Sequence, residues 1–390
     1  MTAGVESARA WLVVAAAFAA MATTFGTAYS FGAFLVPIGE DLGSGRGATA
    51  GVFSVTTFAI FTLGAVSGAA VDRFGPRRVL LVGAASLAAG LVVTARADAL
   101  WQAYLGHGLG VGLAVACAYV PLVAVVGGWF DRRRTLATGI AVSGIGIGTL
   151  GAAPVAAALI GSVGWRGAYL VLAAVGVAVL LAAAVVVRPP PGGAGAAAPL
   201  WSRLRDREYL RLYLASVLLS VALFVPFVHL PSFAVSRGAG EVAAAALVGI
   251  IGAASVAGRL ALGAVADSLG VLRTYQACFV VMCLAFLLWL GGPEYPRLVA
   301  FALLLGVGYG GFVALGPAVV AALFGTAGLG GMLGVFYTAN ALGSALGPPA
   351  GGVLVEATGG YTAVALVALA ATAGSVLAVL SVRPGRSAPG

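Results

Sequence analysis

Apolar positions in this chain neither alternate nor repeat on one helical face. They fill runs of about twenty residues or more, broken by short clusters of charge, glycine and proline. A helix of about twenty apolar residues spans a hydrocarbon core of about 30 Å. Cutting the chain at its interruptions predicts helices over 11–38, 48–71, 78–95, 99–128, 135–160 and 164–187. Six more are predicted over 209–236, 242–266, 272–291, 298–324, 329–355 and 361–382. The expectation is an all-α membrane protein of twelve transmembrane helices, and no segment is left over for a separate soluble domain. The first run follows a short polar lead containing Arg9 and is too long for a cleavable signal core, so it reads as an uncleaved span.

Composition agrees: 61% of the 390 residues are hydrophobic and 8% charged, against about 25% charged in soluble domains. A net charge of +9 would point to nucleic acid in a soluble protein, but all 21 basic residues are arginine and their placement explains them. With the N-terminus inside, fifteen arginines fall on cytoplasmic segments, and Arg46, Arg96, Arg166, Arg237 and Arg297 fall outside. That asymmetry satisfies the positive-inside rule. It predicts a multi-pass inner-membrane protein with both termini cytoplasmic, its arginines beside anionic lipid head groups and no nucleic-acid partner. Cys117, Cys278 and Cys283 lie inside apolar runs without metal-ligand spacing, so neither metal nor disulfide is expected. The chain offers no phosphate-binding loop or catalytic triad, and neither an enzyme nor a cofactor is expected.

An internal repeat organises the spans. Gly68-x-x-x-Asp72-Arg73-x-Gly75-x-Arg77-Arg78 recurs as Gly263-x-x-x-Asp267-x-x-Gly270-x-x-Arg273, 195 residues later. The same offset pairs Gly139 with Gly334, Gly148 with Gly343 and Pro154 with Pro349, and an offset of 196 pairs Gly110 with Gly306 and Pro121 with Pro317. A shift of six spans preserves orientation, so the repeats are parallel. The predicted organisation is an N-terminal six-helix bundle at 1–188, a cytoplasmic linker at 189–207 that carries Pro189-Pro190-Pro191 and a basic, amphipathic end, and a C-terminal six-helix bundle at 208–390.

The first repeated segment resembles the loop motif between helices 2 and 3 of the major facilitator superfamily. The resemblance implies two pseudo-symmetric six-helix bundles and alternating access. Gly68, Asp72, Arg73, Gly75, Arg77, Arg78, Asp267 and Arg273 would form contacts that exist in one access state and break in the other. A second stretch, Trp129-Phe130-Asp131-Arg132-Arg133-Arg134-x-Leu136-Ala137-x-Gly139-Ile140-Ala141-x-Ser143-Gly144-x-Gly146-x-Gly148, resembles the helix 4 to 5 signature of monocarboxylate transporters. Tyr29-Ser30-Phe31-Gly32-x-Phe34 also fits that group and the related oxalate/formate exchangers. The segment Gly343-x-x-x-Gly347-Pro348-x-x-Gly351-Gly352 has the form of an antiporter motif but sits in the eleventh span, and it reads as a bend and close-packing element.

Of the 21 arginines only Arg259 lies well inside a predicted span, where a charge costs at least about 2.5 kcal/mol. No acidic residue lies one turn away at Ser255 or Gly263, so its natural partner is an anion held through two parallel hydrogen bonds. Monocarboxylate transporters resemble this in carrying a helix 8 arginine as substrate anchor. Two departures stand out: Ser255 replaces the aspartate many of them place four residues earlier, and the chain has no lysine for helix 1. Acidic residues fall at loops and span ends, so proton coupling would use the substrate's own proton, and one deep cation favours one carboxylate over two. His107 and His229 are the other groups in the spans that titrate near neutrality and are the proton-coupling candidates. Tyr29, Tyr119, Tyr309, Tyr337 and Asn340, with Phe312 and Phe336 to close the cavity, complete the candidate binding set. The expected function is a secondary active transporter, monomeric, of a small organic anion, a monocarboxylate of the lactate or pyruvate type with proton symport. The alternatives are an oxalate/formate-type anion exchanger, an efflux carrier of amphipathic compounds, and a non-transporting membrane sensor.

Overall fold

The computed structural model describes residues 8–130, 134–189, 205–290, 292, 294–324 and 329–383, without the side chains of residues 65, 69, 72, 134–136, 267 and 329–331. Ten helical stretches are long and apolar enough to cross a membrane. One of them is two helices joined at Gly164, and Leu329–Thr358 is a further helix of 30 residues, which gives twelve spans. The first half holds α1 (Ala8–Tyr29, continued by Phe31–Asp41), α2 (Arg46–Phe74), α3 (Pro76–Ala95) and α4 (Leu100–Ala103, Tyr104–Val111 and Gly112–Trp129). Arg134–Val186 then divides into α5 (134–163) and α6 (164–186). The second half holds α7 (Arg207–Leu223, continued by Val225–Ser236), α8 (Glu241–Leu269), α9 (Val271–Leu290), α10 (Tyr295–Phe324), α11 (Leu329–Thr358) and α12 (Thr362–Leu380). These are two pseudo-symmetric six-helix bundles.

The repeat is written into the backbone more sharply than into the side chains. Glycines with positive φ close the same turns in both halves at a constant offset of 195: Gly43 and Gly238, Gly75 and Gly270, Gly164 and Gly359. At Gly75 and Gly270 the amide donates back to Val71 and Ala266, ending α2 and α8, and the next helix begins at the following residue. A side chain at φ near +80° is strained, which is why glycine recurs there. The helices reach Phe74 and Leu269, about three residues past the expected ends, so Asp72, Arg73 and Asp267 belong to last helical turns rather than to open loops. The first helix of each half is interrupted in mid-span, at Ser30 and at Phe224.

Lipid gives helices little hydrophobic reason to associate, so close packing holds them together. The signature at 129–148 shows how. Gly144 and Gly148 face the Phe18 and Ala22 carbonyls of α1, while Gly146, half a turn away, faces Gly252 and Val256 of α8 in the other half. One glycine series therefore packs α5 inside its own bundle and against the opposite one. In the second half Gly343 and Gly347 of α11 meet Ser220 and Val221 of α7, and Gly352 meets Gly47 of α2, so the helix 11 segment is a close-packing element.

A π-helical turn at Tyr104–Val111 was not expected. Gly106 and Gly110 press against Gly90 and Thr94 of α3, and the wider π turn accommodates that approach within α4. The linker at 190–204 and Arg132 and Arg133 lie outside the described residues, and so do the side chains of Asp72, Arg134 and Asp267.

Candidate functional site

The two ends of the bundle differ. At the end farther from the chain termini, α2 packs on α11 and the second segment of α1 on that of α7, while α5 meets α8 around mid-span. There the Phe227 carbonyl meets Gly32 so closely that no β-carbon would fit. Arg46 Nη1 donates to Tyr361 Oη at 2.7 Å. Glu356 Oε1 accepts from the Gly47 amide at 3.2 Å, so a carboxylate from the second half caps the uncapped N-terminus of α2 in the first. A negative charge on a helix N-terminus is favourable by roughly 0.3–1 kcal/mol.

This latch carries a prediction. Glu356→Ala is expected to populate separation of the halves at this end several-fold more. Spin labels on Ser44 and Ala357, with the native cysteines replaced, would show it as a growing long-distance component; an unchanged distance distribution would refute the latch.

The candidate residues gather in the middle of the bundle. Tyr29, Tyr119, Tyr309, Phe312, Phe336, Tyr337 and Asn340 all line one narrow cavity with about 30 Å³ of free room. They share it with Phe25, Phe61, Ile145, Leu223, Phe224, Val313 and Gly316, which the sequence reading did not select. Phe25 was detectable as the residue one helical turn before Tyr29. Nothing distinguishes Phe61 from a lipid-facing phenylalanine until α2 is placed. The lining lies at mid-span and on the side of the chain termini. Tyr29 and Tyr309, one from each half, bring their hydroxyls to 3.4 Å, and the Asn340 Oδ1 accepts from Ser220 at 2.8 Å.

Arg259 is 9% exposed and does not snorkel to the membrane surface. Gly258 and Gly310 let α8 and α10 approach backbone to backbone, with Gly258 against the Val307 carbonyl and Gly310 against that of Ser255, which fixes the helix that carries it. Arg259 Nη1 crosses to the first half and donates to the Val142 carbonyl at 2.7 Å. Its Nε and Nη2 have no hydrogen-bond partner among the described residues. Arg259 is not among the residues that line the cavity; it stands beside it, within electrostatic reach of the Tyr29 and Tyr119 hydroxyls that do. Ser255, where an acid was looked for, turns its hydroxyl back to the Gly252 carbonyl at 2.7 Å. None of the described acidic side chains lines the cavity.

The histidines sit elsewhere. His107 is fully buried, its Nδ1 3.0 Å from Thr56 Oγ1, in an inter-helix contact between α4 and α2. His229 is also fully buried, with Nε2 2.8 Å from the Pro348 carbonyl and its ring against Gly351. Both stand toward the latched end and outside the cavity lining. Of the switch motif, Gly75 closes the α2 to α3 turn while Arg73, Arg77 and Arg78 are exposed at the same end as the chain termini. Gly68 faces Val120 of α4, and Arg273 lies exposed one turn into α9.

Comparison with known proteins places this arrangement. The Major Facilitator Superfamily profile matches residues 14–293 and again 255–390. Human monocarboxylate transporter 11 is 31% identical over 373 residues, covering 90% of this chain and 78% of that protein. Monocarboxylate transporter 13 of Bos taurus is 30% identical, covering 92% and 85%. MFS-type transporter 1 of an Ophiocordyceps species is 30% identical, covering 90% and 80%. The crystal structure of the nucleoside transporter NupG superposes with a TM-score of 0.74 at 17% identity, covering 95% of this chain and 98% of that one. A bacterial homologue of the lysosomal transporter Spinster, inward-facing and occupied, gives 0.74 at 16% identity, covering 94% and 95%. These last two likenesses concern the fold. The chain is a transporter rather than an enzyme, and it belongs to the Major Facilitator Superfamily among its monocarboxylate-transporter-like members.

Proposed function

We propose that this protein carries a monocarboxylate across the inner membrane by alternating access, with a proton moving in the same direction. The observation that carries the reading is Arg259: a buried guanidinium on α8, held by one backbone carbonyl of α5, with Nε and Nη2 unpaired among the described residues. A carboxylate takes two parallel N–H donors, and the low dielectric of the span strengthens that pair. Tyr29 and Tyr119 stand within electrostatic reach of Arg259, and with Tyr309, Tyr337 and Asn340 they supply neutral hydrogen-bonding groups to the neighbouring cavity, whose wall includes Phe312 and Phe336. The relatives named monocarboxylate transporters support the class.

Arginine asymmetry supports cytoplasmic termini. In that orientation the latched end faces outward and the cavity faces the cytoplasm, an inward-facing state. The linker and the Asp72 and Asp267 turns would then bear on the opposite closure. With no acidic group among the described cavity residues, the proton travels on the substrate or by His229 and His107 in another state of the cycle. The same feature favours anion exchange as the second reading.

Purified protein in proteoliposomes is expected to show saturable uptake of a labelled monocarboxylate, accelerated when the outside is acid. Uptake that ignores the pH gradient but requires a carboxylate inside would establish exchange instead. No saturable flux of any carboxylate under either gradient would refute the proposal.

A further inference from the structure

Only 9% of the chain is aromatic, yet the cavity wall carries five phenylalanines and four tyrosines among its fourteen lining residues. The rings are coupled to one another. Phe25 meets Tyr29 and Tyr119 edge-on at 5.6 and 5.4 Å between centroids, and Phe61 meets Phe224 in the same way at 6.1 Å. Such a surface rewards a flat apolar body, because offset and edge-to-face ring contacts add to the gain from area burial.

Its polar capacity is small and partly spent. Two of the tyrosine hydroxyls face each other and the asparagine oxygen is taken by Ser220. A short hydroxy or keto acid has no apolar body to set against the ring faces. An ammonium group beside the carboxylate would find no acidic partner among the described lining residues, and an unpaired charge at this depth is costly.

Resting on the carboxylate reading above, we infer that the preferred substrate is a monocarboxylate with an aryl or comparably bulky apolar body and no ammonium group, rather than a two- or three-carbon acid. Arg259 takes the head, and Phe25, Phe61, Phe224, Phe312 and Phe336 take the body. The aromatic wall draws on both halves, from α1, α2, α4, α7, α10 and α11, so a ring in the cavity touches surfaces that move against each other.

Three labelled compounds test this in proteoliposomes: pyruvate, which has the head alone; phenylpyruvate, which adds the ring; and phenylalanine, which adds the ring and an ammonium. Phenylpyruvate is expected to give a kcat/KM at least about tenfold above either of the others. Phe61→Leu keeps apolar bulk at a half-buried position and removes one ring. It is expected to narrow the gap between phenylpyruvate and pyruvate several-fold, read as the ratio of their two kcat/KM values.

Pyruvate carried as well as phenylpyruvate overturns the inference and leaves the carboxylate reading standing. Phenylalanine carried as well as phenylpyruvate overturns the exclusion of the ammonium. A Phe61→Leu variant with unaltered preference overturns the assignment of the ring wall. Saturable uptake of none of the three, where other carboxylates are carried, overturns the inference alone; where no carboxylate is carried, the underlying reading fails.

Discussion

Arg259→Ala is expected to lower the kcat/KM for carboxylate uptake at least about 100-fold while leaving the protein folded. A hydrogen bond to a charged group contributes roughly 1.5–3 kcal/mol, so losing a pair costs about 3 kcal/mol, or about 100-fold. The resting protein loses little by comparison. Only Nη1 is engaged, with the Val142 carbonyl, and a charge inside a span is itself unfavourable by roughly 2.5–3.5 kcal/mol. The melting temperature in detergent is therefore expected to hold or rise. Arg259→Lys keeps the charge but replaces a planar fork with a point donor. It should fall between, with about a tenfold loss.

The informative quantity is the contrast between the two measurements. Loss of transport with unchanged melting marks a substrate anchor. Loss of both marks a clasp whose work is done on Val142 of α5. Normal transport removes Arg259 from the mechanism.

Legibility in the sequence followed how far each feature depends on contacts distant along the chain. The spans were readable because a run of about twenty apolar residues leaves a membrane helix little alternative, and the observed ends fall within about three residues of those expected. Arg259 was readable because a charge there needs a reason, and the tyrosines and Asn340 stood out because polar groups in spans are few. The groups those residues meet were not readable. Backbone carbonyls such as that of Val142 have no signature, and a phenylalanine facing a cavity is spelled like one facing lipid.

The π turn in α4 depends on how closely Gly106 and Gly110 approach Gly90, a property of the α3 and α4 pair rather than of either segment. The Glu356 cap was hidden for the same reason: the donor amide and the carboxylate are 309 residues apart. The repeat was half visible. Asp72 and Asp267 advertised it, but the glycine pairs at 43 and 238 and at 164 and 359 became meaningful only when their positive φ was seen.

The 129–148 signature makes the largest structural prediction, at Gly148. A β-carbon there would overlap the Ala22 carbonyl of α1, an atom fixed within a helix and unable to swing aside. Gly148→Ala therefore has to push α1 and α5 apart. Overpacking of this kind costs typically about 1–3 kcal/mol, and a backbone obstacle places Gly148 at the upper end. Because α1 carries Phe25 and Tyr29 and α5 carries Ile145, all three in the cavity lining, the separation would also distort the binding site.

Gly151, three residues on, has no heavy atom within 4 Å of where its β-carbon would stand. Gly151→Ala should be neutral or gain up to about 1 kcal/mol from better helix propensity. Fluorescence-detected size exclusion and thermal unfolding in detergent are expected to show Gly148→Ala melting several degrees lower or failing to remain monodisperse, with Gly151→Ala matching wild type. Gly347→Ala, whose β-carbon would overlap the Val221 carbonyl in the second half, should behave like Gly148→Ala. If all three variants melt together, the glycines of the signature are not what brings these helices into contact, and the order of the motif must be explained by the transport cycle instead.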